Sequence, residues 1–203
     1  GATEKIAEKD LSLSKLKAGW AYVVPGMLPL SLVQGLIRRF EDSGTKTAIN
    51  PSGFYVKMGA KKLKFLLRST QVVILNREEG ANLTGVSYDN IKGIFRRFDG
   101  FVSGLAILTD GLNGAWVSDG KYVYHAGVFK EKKIIDRTGA GDAFGSGFVA
   151  GMIEKNDVNY ALRFAAANAT SVVEQIGAQA GILTKKDFKN KRWHYLDLDV
   201  EPL

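Results

Sequence analysis

Cysteine is absent from this sequence of 203 residues, and histidine is nearly so, with only His125 and His194. The absence of cysteine excludes disulfide bonds and thiolate metal sites, and a count of two histidines argues against a histidine-based zinc centre. Any bound metal ion is therefore expected to have oxygen ligands. The four prolines are scattered, and no residue type forms a low-complexity run, so we expect a folded globule.

The sequence also lacks a long uninterrupted apolar run. Residues 20–37 are largely apolar, but prolines, glycines and Gln34 interrupt them, so no membrane-spanning helix is predicted. No secretory signal pattern follows the first residue. We therefore expect a cytoplasmic protein without a membrane partner. The sequence opens with Gly1 and not with methionine, and we expect its true start to lie upstream.

Positive charge is in excess, because 28 Lys and Arg residues stand against 21 Asp and Glu residues, for a net charge of +7. The excess favours anionic partners such as nucleotides, nucleic acids or acidic metabolites, and it does not choose among them. The densest basic run, residues 61–68, places Leu63, Leu66 and Leu67 at helical spacing. This spacing predicts a solvated helix face and not a nucleic-acid patch, so we expect no nucleic-acid partner.

Short apolar runs alternate with longer segments of helical period, which is typical of a layered α/β sheet with largely parallel strands. The pattern predicts strands at residues 21–24, 46–50, 71–75, 105–109, 115–118 and 122–125, the last two joined by a hairpin turn at residues 119–120. It predicts helices at residues 30–40, 61–67, 76–82, 88–98, 141–155 and 159–175. The tail from residue 184 onward is expected to pack peripherally.

A glycine-rich turn followed directly by an apolar helix lies at residues 136–147, which read DRTGAGDAFGSG. The first N–H groups of a helix have no internal acceptor, and the helix dipole adds positive potential there, so such a turn binds anions. The small residues Gly139, Ala140 and Gly141 let a phosphate approach these groups. A carboxylate in the same turn, Asp142, can accept a proton from an attacking hydroxyl group. These are the groups that phosphoryl transfer needs.

Other interpretations of this motif compete with the phosphate site. Asp142 can be only a first-turn acid that complements the helix dipole, a role worth ~0.3–1 kcal/mol at a surface. The spacing of Gly139, Gly141 and Gly145 also fits a dinucleotide-binding finger. That finger needs a following strand with an acidic residue at its end, whereas a second helix follows here. No P-loop sequence occurs.

Residues 136–149 resemble the C-terminal signature of the PfkB family of carbohydrate kinases, and the resemblance extends over residues 20–183. It implies a ribokinase-like three-layer αβα fold with a mostly parallel sheet. It also implies an ATP-dependent kinase that phosphorylates a hydroxymethyl group of a sugar or nucleoside, with Asp142 as the base beside an anion hole at Gly139, Ala140 and Gly141. Arg137 departs from the family pattern, which usually has Thr, Ser, Val or Pro there.

Two further segments are similar to family motifs near the nucleotide phosphates. Asn76 and Glu79 match the family's N-x-x-E segment, whose Asn and Glu organise Mg²⁺ and phosphate, so Glu79 is a candidate metal ligand. Without the resemblance, the segment would favour a helix-capping asparagine followed by surface acids. Thr109, Gly111 and Gly114 match the T-x-G-x-x-G turn that approaches ATP. An ordinary hairpin turn would need these glycines as well.

The remaining candidate residues depend on the resemblance more heavily. Asn168 matches a position near adenine in relatives, although tight helix packing explains its alanine-rich surroundings equally well. The resemblance also implies a monovalent cation such as K⁺ beside the anion hole, with Asp136 and Thr138 as candidate ligands; alternatively, Asp136 merely caps the glycine turn. His125, a lone histidine on a predicted hairpin strand, is interpreted as structural.

Kinases of this family carry an upstream portion with the first strands of the core, a small β lid and the segments that grip the sugar, and this sequence has no match to it. We therefore expect a C-terminal portion, with residues 1–184 forming a partial core and residues 185–203 a peripheral tail. Missing strands would expose a sheet edge and promote association, for example as a homodimer. A catalytically silent nucleotide-binding module without an acceptor site stays an alternative function.

Overall fold

The computed structural model describes residue 6, residue 10 and residues 17–203. In this part of the chain the strands are β1 (Trp20–Val23), β2 (Lys46–Ile49), β3 (Val72–Asn76), β4 (Leu105–Thr109), β5 (Ala115–Ser118), β6 (Tyr122–Ala126) and β7 (Leu198–Pro202). The helices are α1 (Leu30–Asp42), α2 (Gly53–Val56), α3 (Ala60–Ser69), α4 (Arg77–Thr84), α5 (Ile91–Phe98), α6 (Ala140–Lys155) and α7 (Val158–Val173). Short 3-10 helices form at Gly111–Asn113, Asp187–Lys189 and Lys191–Trp193.

The chain divides into two compact units, and the first runs through residue 108 and includes residues 118–120 and 203. Its strands follow the order β1-β2-β3-β4. β1 pairs in parallel with β2, with Trp20 opposite Lys46, and β2 pairs in parallel with β3, with Ala48 opposite Val72. Because parallel strands end at the same edge of a sheet, the loops after β1, β2 and β3 share one edge of this unit. The prediction of parallel pairing is confirmed for these strands.

Apolar residues at helical spacing form the helices of the first unit. In α1, Val33, Ile37 and Phe40 are buried. In α3, the buried residues are Leu63, Leu66 and Leu67, which confirms the solvated helix face predicted for the basic run. The first four residues of β3 are all buried, as expected for a strand covered on both faces. Helix α2 has only four residues, and the sequence pattern did not predict it.

The second unit contains residues 109–117 and 121–202. Its strands follow the order β5-β6-β7, and β6 pairs antiparallel with β7, with Tyr122 opposite Pro202. Helices α6 and α7 pack at very short range because small residues face each other. A Cβ atom added to Gly151 would lie 2.6 Å from the Cα of Ala161. Glycine in α6 therefore permits the close approach of the two backbones.

The tail after residue 184 adds buried aromatic rings to the second unit. Phe188 and Trp193 are 7% and 4% exposed, and Trp193 meets Phe129 edge to face at 5.0 Å. Arg192 donates to the Oε2 atom of Glu174 over 2.7 Å. This hydrogen bond is the largest of the effects that hold the pKa of Glu174 below its usual value. The sequence predicted only that this tail packs peripherally, and it predicted neither these contacts nor β7. The domain boundary at residue 184 stays a prediction.

None of the helices in the described part of the chain combines the length and the apolar character that crossing a bilayer requires.

Candidate functional site

The glycine-rich turn enters α6 in the conformation that its sequence predicts. Gly139 is the residue before the helix and has a left-handed backbone, with φ of +81°. A Cβ atom on Gly139 would lie 2.7 Å from the Cβ of Ala178, in the loop that follows α7. Both the positive φ and the close contact require glycine here. The turn and this loop are therefore packed against each other.

The carboxylate of Asp136 ties the two segments together. Its Oδ1 atom accepts a hydrogen bond from the N–H of Thr138 over 2.8 Å, and its Oδ2 atom accepts one from the N–H of Gly177 over 3.3 Å. Hydrogen bonds from the Thr138 backbone, chiefly, and then from its side chain lower the pKa of Asp136. Asp136 thus stabilises the turn in its ionised form. Its assignment, with Thr138, to a monovalent cation stays a prediction.

Free backbone donors mark the start of α6. Ala140 and Ala143 donate their N–H groups to Arg137 and Gly139, whereas the N–H groups of Gly141 and Asp142 have no acceptor within the described residues. A Cβ atom on Gly141 would meet nothing within 4 Å, so space lies beside these donors. The helix dipole adds positive potential at the same place. The arrangement suits an anion such as a phosphate.

Asp142 stands in the first turn of α6 with an exposed side chain. Its carboxylate makes no hydrogen bond or ion pair with any described residue. Only its main-chain oxygen is engaged, by the hydroxyl of Ser146 over 2.8 Å. The acid is therefore available to a ligand held at the free N–H groups, as general-base chemistry would require.

A cavity of about 160 Å³ opens beside this turn, and all of its lining residues belong to the second unit. It brings together the predicted residues Thr109, Gly111, Gly114, Ala140 and Gly141. Its other lining residues come from the turn at residues 109–114, the start of β5, the segment after β6, the glycine-rich turn, α6 and α7, namely Leu112, Ala115, Gly127, Val128, Glu131, Arg137, Phe144, Ala166, Ala169, Thr170 and Val173. This volume is below the ~300–1,000 Å³ of a pocket for a whole ligand, so it suits one part of a nucleotide.

The turn at residues 109–114 has two backbone positions that favour glycine. Gly111 and Gly114 have φ of +53° and +83°, and a Cβ atom on Gly114 would lie 2.0 Å from the carbonyl oxygen of Ala126. The N–H of Asp110 donates to the carbonyl oxygen of Gly114 over 2.8 Å, which closes the turn. The close approach of Gly114 to β6 explains this glycine more specifically than a hairpin turn does.

His125 supports the same turn from β6. Its Nε2 atom lies 3.0 Å from the carbonyl oxygen of Asn113, and because a carbonyl only accepts, Nε2 must carry the proton. Its ring stacks on Trp116 with centroids 4.5 Å apart. The structural role predicted for His125 is therefore confirmed, and the residue it supports is part of the turn that lines the cavity. No short-range pattern in the sequence signals this contact.

Asn168 lies apart from the cavity and is only 2% exposed. Its Nδ2 atom donates to the carbonyl oxygen of Ala143 over 2.8 Å, and its Oδ1 atom accepts from the N–H of Leu183 over 2.8 Å. Both ends of the amide are thus used by the backbone. This geometry favours the packing interpretation, and the assignment of Asn168 to nucleotide binding stays a prediction.

Asn76 and Glu79 lie in the first unit, where they form a capping box at the start of α4. The N–H of Glu79 donates to Asn76 Oδ1 over 2.7 Å, and the N–H of Asn76 donates to Glu79 Oε2 over 2.9 Å. Burial raises the pKa of Glu79, and hydrogen bonds from the backbones of Asn76 and Gly53 oppose that rise. The structure thus shows the capping asparagine that was the alternative interpretation of this segment. The roles of Asn76 in nucleotide binding and of Glu79 in metal binding stay predictions.

The described residues contain no group of three or more His, Cys, Asp or Glu side chains that could hold a metal ion. A divalent ion at Glu79 would therefore need oxygen atoms from water and from phosphate to complete its coordination. Mg²⁺ has this preference, because it usually keeps several waters and takes few protein carboxylates. The residues present thus fit Mg²⁺ bound together with a nucleotide, and they do not fit a dedicated protein cage.

Comparison with known proteins points to one family. A cytidine kinase from Thermococcus kodakarensis is 26% identical over 87% of this chain and 63% of its own length. A ribokinase from Haemophilus influenzae is 28% identical over 90% of this chain and 56% of its own length. The chain thus spans between half and two thirds of the length of these relatives.

Solved structures share the fold. A ribokinase from Arabidopsis thaliana, solved with ribose and ATP, superposes with a TM-score of 0.76 at 22% identity, over 88% of this chain and 56% of that chain. An adenosine kinase from Sinorhizobium meliloti gives a TM-score of 0.75 at 20% identity, over 88% of this chain and 57% of that chain. The expected ribokinase-like α/β fold is therefore confirmed. The family model described as "pfkB family carbohydrate kinase" matches residues 12–185, and this chain belongs to that family.

Proposed function

We propose that the protein is an ATP-dependent kinase that transfers the γ-phosphoryl group to a hydroxymethyl group of a sugar or nucleoside. The observation that carries the proposal is the start of α6, where Ala140 and Gly141 line a cavity and the N–H groups of Gly141 and Asp142 have no acceptor among the described residues. The carboxylate of Asp142, the residue after Gly141, is exposed and without a partner there. Membership of a carbohydrate kinase family supports the acceptor class. The similarity to a cytidine kinase and a ribokinase extends that class to nucleosides and sugars.

The chain's own groups account for the transfer. The N–H groups of Gly141 and Asp142 bind the γ-phosphoryl oxygens and stabilise the charge that spreads over them. The acceptor oxygen forms a bond to the γ-phosphorus while the bond from that phosphorus to the bridging oxygen of ADP breaks. The carboxylate of Asp142 takes the proton of the acceptor hydroxyl. The Thr109–Gly114 turn lines the cavity where the nucleotide would lie.

The cation roles are further parts of the proposal. Mg²⁺ supplies charge neutralisation to the ATP phosphates when it is bound with them. Glu79 is the proposed protein ligand of such an ion in the first unit, where Asn76 would orient it through the capping box. Asp136 and Thr138 would contribute to a K⁺ site beside the anion hole. Asp136 is suited to this because its lowered pKa keeps it ionised.

The test is phosphoryl transfer from ATP to a panel of sugars and nucleosides, with Asp142→Asn alongside. Loss of the base is expected to lower kcat by about 10²–10⁴-fold, while ATP still binds. Asp89→Asn is the matched control, because Asp89 is exposed and has no partner among the described residues. Undiminished kcat in Asp142→Asn would reject the role of Asp142.

A nucleotide-binding module without turnover is the second candidate. It is favoured by one observation, that the chain matches only 56% of the ribokinase from Haemophilus influenzae. Calorimetric titration of ATP, with and without the acceptor panel, separates the two candidates. ATP binding without phosphorylation of any acceptor would support the module, whereas phosphorylation of one acceptor would reject it.

A further inference from the structure

Two charged side chains, Glu131 and Arg137, are among the residues that line the cavity of the second unit. Neither side chain makes a hydrogen bond or ion pair with any described residue, and they do not pair with each other. The other two arginines of this unit are engaged. Arg163 donates to the carbonyl oxygen of His194, and Arg192 donates to Glu174. Arg137 is therefore the exception among the arginines of the second unit.

The backbone of Arg137 belongs to the glycine-rich turn. Its carbonyl oxygen accepts the N–H of Ala140 over 3.2 Å, and Arg137, Ala140 and Gly141 line the same cavity. A guanidinium group presents several donors in a planar fork that matches the oxygens of a phosphate. Arg137 has an exposed, unpaired side chain and lines the same cavity as Gly141, whose N–H has no acceptor among the described residues. A guanidinium group and a free N–H group attract the same kind of ligand, an anion.

We propose that Arg137 binds the polyphosphate chain of the nucleotide and makes this site prefer a nucleoside triphosphate to a monophosphate or a nucleoside. The inference rests on the nucleotide site of the proposed function and adds a residue to it. Gly141 and Asp142 hold the terminal phosphate through their N–H groups, and Arg137 donates to oxygens of the same chain. Glu131 repels phosphate, so the anionic part of the nucleotide lies on the side of Arg137.

The test is calorimetric titration of the protein with ATP, AMP and adenosine, for the wild type, Arg137→Gln and a control. Lys133→Gln removes the same charge from an exposed residue of the same segment that does not line the cavity. Arg137→Gln is expected to weaken ATP binding about tenfold at low salt, which corresponds to the loss of one charge-assisted contact. Adenosine binding should not change, and Lys133→Gln should alter ATP binding by less than about twofold. High salt should reduce the effect of Arg137→Gln.

The outcomes separate this inference from the proposed function. ATP binding that is equal in wild type and Arg137→Gln overturns the inference and leaves the proposed function in place, which Asp142→Asn tests independently. Equal weakening of ATP and adenosine overturns it as well, because the variant would then have disturbed the pocket. If Arg137→Gln instead weakens binding of a sugar phosphate such as fructose 6-phosphate and not of ATP, Arg137 recognises an acidic acceptor and the nucleotide assignment is wrong. A wild-type chain that binds no ATP overturns both proposals.

Discussion

Replacing Asn168 with alanine tests whether this residue joins helices or contacts the nucleotide. The substitution removes both side-chain hydrogen bonds of a residue that is 2% exposed. The part-buried N–H of Leu183 would lose its acceptor, a net hydrogen bond of about 0.5–1.5 kcal/mol. The carbonyl oxygen of Ala143 would lose the hydrogen bond from Asn168 but keep its contact with the hydroxyl of Ser146 at 3.2 Å. It is therefore not left unsatisfied, and the cost is that of one net hydrogen bond, about 0.5–1.5 kcal/mol.

The two losses together predict that Asn168→Ala lowers the free energy of unfolding by about 1–3 kcal/mol. For a chain of this size, each kcal/mol shifts the melting temperature by about 2–4 °C, so a decrease of about 2–12 °C is expected. Thermal and urea unfolding without nucleotide measure this change. Asn82→Ala is the matched control, because Asn82 is exposed on α4 without a partner among the described residues, and it should stay within about 0.5 kcal/mol of wild type.

The nucleotide measurement decides between the two roles of Asn168. ATP binding is titrated at a temperature where both proteins are fully folded, and the dissociation constant is expected to change by less than about twofold because the amide is used by the backbone. A variant with wild-type stability and much weaker ATP binding would refute the reasoning. It would show that the Asn168 side chain leaves its backbone partners to contact the base.

Two further predictions concern helix packing and pH. Gly151→Ala should lower the free energy of unfolding by about 1–3 kcal/mol, because the new Cβ would lie 2.6 Å from the Cα of Ala161. Gly35→Ala is the control: its Cβ would meet nothing within 4 Å, so this variant should raise the free energy of unfolding by about 0.5–1 kcal/mol. Urea unfolding measures both changes, and two changes of the same sign would contradict the packing argument. Glu79→Gln keeps a side chain that can cap α4 and removes the carboxyl group, whose pKa is raised by burial above its ordinary value of 4.5. Wild type should therefore lose stability as pH rises through that raised pKa, whereas the variant has no such group to ionise. As pH increases between about pH 4 and pH 7, the unfolding midpoint of wild type should therefore fall relative to that of Glu79→Gln. Midpoints that change with pH in the same way for both proteins would refute this prediction.

Much of the fold follows from short-range patterns, because apolar periodicity and glycine act locally. The strand β4 has the predicted bounds, Leu105–Thr109, and α6 begins at Ala140, one residue before the predicted start. Helix α2 was missed because its four residues make barely one helical turn, which is too short for an apolar pattern to repeat. Strand β7 was missed because four of its five residues are exposed, and its pairing with β6 depends on residues far away in the sequence.

The candidate site shows the same division between local and distant causes. The turn from Asp136 to Asp142 could be predicted because its glycines, its acid and its helix are adjacent in sequence. Two contacts could not be predicted, because each depends on how separate segments pack. They are the hydrogen bond from Gly177 to Asp136, 41 residues away, and the support of Asn113 by His125. The position of Asn168 is of the same kind, since its partners come from α6 and from the segment after α7.

The pairing of β7 with β6 has a practical consequence for anyone who handles this chain. The carboxylate of Asp199 on β7 lies 3.9 Å from the Nδ1 atom of His125. The other ring nitrogen of His125, Nε2, donates a hydrogen bond to the carbonyl oxygen of Asn113. Deleting β7 would thus remove the strand that pairs with β6 and the contact of Asp199 with His125, whose other ring nitrogen supports a turn that lines the cavity. The deletion would act on the cavity indirectly, because no residue of β7 lines it. Shortened versions designed for crystallisation should keep residues 198–202 if their cavity is to represent that of the whole chain.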